Sequence, residues 1–406
     1  NPATDSGYKV FGPDGTQIRP PTDRQIEEFM TFSQLPNESD LASLEDVNQV
    51  DLGTAVSSYV DAVIPANRSS ASADFHGDWV YTPLCGVGGH TLEMACSRAG
   101  VKAPIRVESQ FESNGLFPGL PFPNPEEPGT MTEAHLVADA AGIDLVVAND
   151  PDADRLAVAI KTVRGWHQLS GDEVGLLLCD HQLSNTTGDN RLTASSVVSS
   201  EAAAALCALR GVEHIRTLTG FKWIMQPAAE RPDAHWIFGY EEALGYSVND
   251  EVLDKDGIAA CVTFMEMVAD LASRGLDPLK RLDELAFEIG LYVTHQVSAY
   301  IGTQEISSSL EVLRDSPPHE LAGSPIVEVR DWLEEPSPRT TNLLELRSQN
   351  GSRVAIRPSG TEPKVKIYLE QFVPNPQHDL ASVRTQCVEQ LEYLGSVALS
   401  WFKRES

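Results

Sequence analysis

Short apolar runs alternate along this chain with helical stretches that stop on glycine, and that alternation predicts parallel α/β construction. A strand over 79–82 leads through Gly86, Gly88 and Gly89 into a helix that ends at Gly100. A helix over 132–141 stops at Gly142 and feeds a strand over 145–148. Ser170 and Glu173 have the spacing of a capping box for a helix running to about residue 183. That helix opens a second α/β unit, with strands over 194–198, 214–218 and 236–238 and a helix from 257 to about 272. From about residue 291 the pattern becomes α+β. A strand over 343–347, a Gln-Asn-Gly-Ser turn at 349–352 and a strand over 353–357 read as a hairpin, followed by a strand over 364–370 and a final helix over 379–402. The proline-rich stretch 317–338 reads as loop-dominated, and residues 22–30 as a capped helix whose partners the first sixty residues do not supply. No internal repeat stands out by sequence.

Where the strand over 145–148 ends, the chain reads Asn-Asp-Pro-Asp-Ala-Asp-Arg over 149–155, so Asp150, Asp152 and Asp154 occupy alternate positions. Three like charges so close repel unless a divalent cation offsets them, and hard carboxylate oxygens favour Mg²⁺ over Zn²⁺. An EF-hand starting at Asp150 would need Gly sixth and Glu twelfth, where the chain has Arg155 and Lys161. A solvated acidic turn is the plain alternative. An aspartyl-phosphate phosphatase would carry Thr at the fifth position, where Asp154 stands.

The formal charge of −29 over 406 residues argues against nucleic-acid or anionic-membrane partners, so an anionic substrate needs a local basic pocket. Six cysteines without a C-x-x-C pair, in apolar surroundings, read as free thiols in a reducing cytoplasm. No apolar run approaches the roughly 20 residues that span a bilayer, and no signal peptide opens the chain. Oligomeric state leaves no trace in the sequence.

Five separated motifs then converge. They are Asn1-Pro2 with Gly7-Tyr8-Lys9; Thr82-Pro83-Leu84 with Gly86-Val87-Gly88; the acidic loop; Gly239-Tyr240-Glu241-Glu242; and Arg357-Pro358-Ser359-Gly360-Thr361-Glu362-Pro363. In this order they resemble the α-D-phosphohexomutases, the phosphoglucomutase and phosphomannomutase superfamily, over nearly the whole chain. The stretch from Gly239 to Gly245, with Thr219 to Trp223 before it, is most similar to the branch that also holds phosphopentomutases.

The resemblance implies three similar α/β domains around a cleft plus a smaller α+β C-terminal domain. The borders expected are 1–70 for an incomplete domain 1, 71–163 for a metal-binding domain 2, 164–290 for a sugar-binding domain 3, and 291–406 for a phosphate-binding domain 4. It implies interconversion of hexose 1-phosphate and hexose 6-phosphate through a phosphoserine, with Mg²⁺ and a sugar 1,6-bisphosphate as activator. A phosphopentomutase and a noncatalytic binder of sugar phosphates are the alternatives.

By the same resemblance Arg357, Ser359, Gly360 and Thr361 hold the resting phosphate, and a guanidinium fork, two hydroxyls and an accessible amide suit that task. Glu241 is implied as the principal sugar contact, with Glu242 beside it; many relatives place a serine where this chain has Ala243. Lys9 and Lys255 are the candidates for the base, which requires a pKa lowered by burial; a charge clamp is the alternative for either. Arg155 orients the metal loop or contacts the transferring phosphate, and Lys222 faces the cleft. Members of the family carry Ser-His immediately before Asn-Pro, and that serine is the phosphate carrier. The 406 residues start after it and are expected to be inactive alone.

Overall fold

The computed structural model describes residues 7–30, 43, 50–64, 77–336, 339–359, 363–376 and 379–402. Asn1-Pro2 and Gly360-Thr361-Glu362 lie outside the described residues.

The first sheet contains β1 (Val80–Thr82), β2 (Ile105–Arg106), β3 (Leu145–Ala148), β4 (Ala157–Thr162) and β5 (Gly165–Gln168), in the order β2-β1-β3-β4-β5. β1 runs parallel to β2 and β3, and β4 and β5 close the edge antiparallel. Strands β1 and β3 are apolar and almost wholly buried because helices cover them, as parallel sheets require. The helices Gly88–Ala99 and Thr132–Ala141 stop where glycines at 100 and 142 take left-handed φ of 74° and 68°. β5 carries this sheet to Gln168, past the border expected at 163. The helix Leu52–Val63 buries Val60 and Val63 in the same core as Leu92, so packing also reaches back across the border expected near 70.

The second sheet repeats the plan: β6 (Arg191–Ser196), β7 (Glu213–Thr217), β8 (His235–Glu241) and β9 (Gly245–Ser247) lie in the order β7-β6-β8-β9. Its neighbours are again parallel, parallel and antiparallel. β6 ends at Ser196 rather than at 198 because Val197 and Val198 turn away to pack on Trp332, Leu343 and Tyr368 of the next unit. The capping box forms as expected, at the start of the helix Gly171–Asn185. The helix Gly257–Ser273 is buried along most of its length, and one continuous core joins the first two units around it.

The third sheet is antiparallel throughout: β10 (Leu291–Tyr300), β11 (Glu320–Leu321), β12 (Ser324–Asp331), β13 (Leu344–Ser348), β14 (Ser352–Pro358) and β15 (Lys364–Val373), in the order β10-β15-β14-β13-β12-β11. β11 and β12 correct the expectation of a loop over 317–338. Pro325 sits at the second position of β12, where a missing N–H is tolerated, and the residues after it pair with β13. The helices Thr303–Asp315 and Leu380–Ser400 bury their apolar residues in this sheet's own core.

The helix expected over 22–30 forms as Thr22–Phe29, but Pro21 stands at its N-cap and no side chain caps it. Among the described residues no helix is long and apolar enough to cross a membrane. All six cysteines are buried free thiols.

Candidate active site

The acidic loop at the end of β3 is gripped on both sides by glycines. A Cβ on Gly86 would strike the Pro151 backbone, and the Val87 amide donates to the Pro151 carbonyl at 2.9 Å. On the other side a Cβ on Gly257 would strike the carbonyls of Ala153 and Arg155, while the Gly257 amide donates to the Ala153 carbonyl at 3.1 Å. Asn149 closes the loop, accepting from the Tyr81 hydroxyl at 2.8 Å and donating to the Arg155 carbonyl at 2.5 Å. The outcome is convergence: one carboxylate oxygen from each of Asp150, Asp152 and Asp154 lies within 4.8 Å of the others.

Cations ring this cluster. Lys9 Nζ lies 2.5 Å from Asp154 and 3.7 Å from Asp152, and Lys255 Nζ lies 3.0 Å from Asp154. Arg155 Nε stands 3.5 Å from Asp150 and 3.9 Å from Asp154, and Nη1 reaches Glu126 at 3.5 Å. Burial, then repulsion from Asp154 and Asp152, pushes Asp150 up to about 7. Burial works the same way on Asp154, but Lys255 and Lys9 outweigh it and hold Asp154 low. Lys9 feels burial too, yet Asp154 and its neighbours hold its ammonium above the ordinary range. That is the opposite of the lowered pKa expected of a base, because Lys9 lies on the carboxylates rather than in an apolar pocket. The Lys255 stem occupies the space that Gly245 leaves open. A cavity of about 220 Å³ opens here, walled by Tyr59, Val87, Asp152, Asp154, Lys255 and Asp256. The donor set is all oxygen and convergent, which fits a hard divalent cation such as Mg²⁺.

β8 ends on Glu241 beside this loop, and Glu242 follows it in the turn. The two loops are joined: Arg155 forms a β-bridge with Gly245, and the Leu156 amide donates to the Leu244 carbonyl at 3.0 Å. Burial pushes Glu241 up to about 6 against the pull of Lys255, with Glu242 adding repulsion. Glu242 is already engaged. Its Oε2 accepts from the hydroxyls of Ser196 at 2.9 Å and Ser199 at 3.1 Å, and its amide donates to Ser199 Oγ at 3.1 Å.

Three described candidates remain, Arg357, Ser359 and Lys222. Arg357, near the end of β14, donates through Nη1 to the Thr219 hydroxyl, and Lys222 lies on the short helix Phe221–Ile224 just beyond. The Ser359 amide donates to the Lys364 carbonyl at 2.7 Å across the base of the turn. Gly360 and Thr361 fall outside the described residues. Sequence reasoning missed Tyr59, whose hydroxyl donates to Asp256 at 2.8 Å, and Arg353, which sits buried between the second and third sheets. An arginine at alternate spacing from Arg357 on one strand was the available signal for the latter.

The geometry can be set beside known proteins. Models of phosphoglucomutase/phosphomannomutase match as alpha/beta/alpha domain II over residues 57–165, alpha/beta/alpha domain III over 170–287 and C-terminal domain over 320–380. A Haemophilus influenzae protein named "Probable phosphomannomutase" is 37% identical over 386 residues, 93% of this chain and 76% of that protein. The human phosphopentomutase is 30% identical over 424 residues, 96% of this chain and 69% of its own. The solved structure of a phosphoglucomutase/phosphomannomutase family protein from Burkholderia thailandensis shares the fold at a TM-score of 0.57 and 18% identity, over 84% of this chain. The chain spans 64% of that structure's length. Two α/β units followed by an antiparallel sheet, with an acidic loop of the first unit held against the second, define a phosphosugar-mutase architecture. The chain belongs to the α-D-phosphohexomutase superfamily, and its three sheets are that family's domains II, III and IV.

Proposed function

We propose that this chain forms the metal-, sugar- and phosphate-binding part of a mutase that interconverts hexose 1-phosphate and hexose 6-phosphate, through a phosphoserine and a sugar 1,6-bisphosphate. The observation that carries this reading is the convergence of Asp150, Asp152 and Asp154 beside Lys9, Lys255 and Glu241, in a chain of this family. Asp150, Asp152 and Asp154 would hold Mg²⁺, which when bound offsets charge on a transferring phosphoryl group. Lys9 and Lys255 clamp that charge from two directions, and Lys255, the more enclosed of the two, is the better candidate to hold or move the proton of the sugar hydroxyl. Arg155 orients the loop. Glu241 accepts from sugar hydroxyls, whereas Glu242, tied to two serines, supports it from behind. Arg357, Ser359, Gly360 and Thr361 grip the phosphate at rest, with Lys222 adjacent.

A pentose phosphate substrate is the second reading, supported by the phosphopentomutase relative and by Ala243 in place of a serine on the sugar loop. A substrate panel decides between them: hexose phosphates are expected to turn over, and exclusive turnover of ribose phosphates would reverse the choice. The panel requires the serine that relatives carry immediately before Asn-Pro. Residues 1–406 alone should convert no glucose 1-phosphate even with Mg²⁺ and glucose 1,6-bisphosphate, because positioning without an acceptor transfers nothing. Extension by the Ser-His segment should restore turnover, and the same extension with alanine should not. Robust conversion by residues 1–406 would overturn the phosphoserine mechanism.

A further inference from the structure

The buried Arg353 lies on β14 four residues before Arg357, so the two side chains share a face and stand roughly 13 Å apart along the strand. Arg357 meets Thr219, beyond β7. Arg353 meets the turn beyond β6, donating through Nη1 to the Ser199 carbonyl at 3.0 Å and through Nη2 to the Val197 carbonyl. A second clamp from the same sheet falls on that turn, since Glu370 of β15 accepts from the Glu201 amide at 3.0 Å. The far side of the turn carries the hydroxyls of Ser196 and Ser199, which hold Glu242. Charge-assisted donors to two backbone carbonyls in a buried setting are strong and geometrically exacting. A continuous chain of hydrogen bonds therefore runs from the strand that bears the phosphate-gripping arginine to the carboxylate beside Glu241.

We infer that Arg353 is a positioning residue: by fixing the 196–201 turn, it sets the spacing between the Arg357 phosphate site and the Glu241 sugar contact. This rests on the sugar-phosphate reading proposed above. A ligand that fills only the phosphate site is indifferent to that spacing, whereas a sugar phosphate, which must reach both sites at once, depends on it.

Calorimetry on the 406-residue chain tests this with glucose 6-phosphate and inorganic phosphate as probes, on wild type, Arg353→Lys, Ser199→Ala and the double variant. Each single change should weaken glucose 6-phosphate about fivefold while leaving inorganic phosphate within about twofold of wild type, and the double should be no weaker than the worse single, because both cut one chain. Ser199→Ala leaves the buried arginine in place, so the test survives if Arg353→Lys fails to fold. Multiplying effects in the double variant would overturn the inference, as would parallel loss of inorganic phosphate or unchanged glucose 6-phosphate affinity. If wild type itself binds no glucose 6-phosphate, the functional reading falls and takes the inference with it. An intact wild type with independent variants overturns the inference alone.

Discussion

The loops after β3 and β8 stand at the same place in two sheets of the same strand order, yet they manage like charge in opposite ways. Both turn through a left-handed residue that is not glycine, Ala153 at φ 60° and Leu244 at φ 63°. In the first, carboxylates occupy alternate positions and converge within 4.8 Å, so they must share cations. In the second, Glu241 ends the strand and Glu242 opens the turn beyond it, and the adjacent carboxylates meet different partners. Glu242 accordingly turns to Ser196 and Ser199, while Glu241 is left to the field of Lys255. Spacing decides whether acidic residues converge or act as two separate acceptors.

That contrast predicts the largest effect at the first loop. Asp152→Ala should abolish high-affinity Mg²⁺ binding, measured by titration calorimetry, whereas Glu242→Gln should leave it unchanged. Loss of Mg²⁺ in the glutamate variant would show that the two loops form one ion site and break the comparison. Arg357→Ala should weaken glucose 1-phosphate and glucose 6-phosphate alike by about tenfold or more if, as proposed, one loop grips the resting phosphate in both orientations. Loss for one isomer only would refute the shared site. At the second loop, Glu241→Gln should cost about 1 to 3 kcal/mol in sugar-phosphate binding and spare inorganic phosphate. If both fall together, Glu241 supports the fold rather than the sugar.

What was legible in the sequence was local. Alternate aspartates after an apolar run, glycines closing helices and a capping box all act within a few residues, so the two α/β units and the convergent acidic loop could be read directly. What escaped depends on partners far along the chain. Glu242 is tied to serines 43 and 46 residues earlier, and Arg353 bonds carbonyls more than 150 residues before it. Gly86 and Gly257 look like ordinary turn and helix-start residues until the Pro151 and Ala153 backbones are laid against them. The two sheets leave no internal repeat in the sequence for a related reason: topology is shared while the side chains on it differ. β12 was hidden by its flanking prolines, although only Pro325 lies within it.

The smallest predicted effect tests whether the two left-handed turns are equivalent in energy as well as in place. A left-handed residue with a Cβ costs about 1 to 2 kcal/mol, and glycine removes that cost at either position. At Ala153, which is 8% exposed, the gain is offset by about 0.8 kcal/mol for the buried methyl and about 0.4 to 1 kcal/mol for the added freedom of the unfolded chain. Ala153→Gly should therefore change stability by no more than about 0.8 kcal/mol in denaturant unfolding. Leu244, 2% exposed and packed in the shared core, loses a whole buried side chain, so Leu244→Gly should destabilise by roughly 2 to 4 kcal/mol despite the same backbone relief. The pair thus separates turn strain from packing. Destabilisation of more than about 1.5 kcal/mol by Ala153→Gly would mean that its contact with Gly88, rather than its backbone, governs the acidic loop.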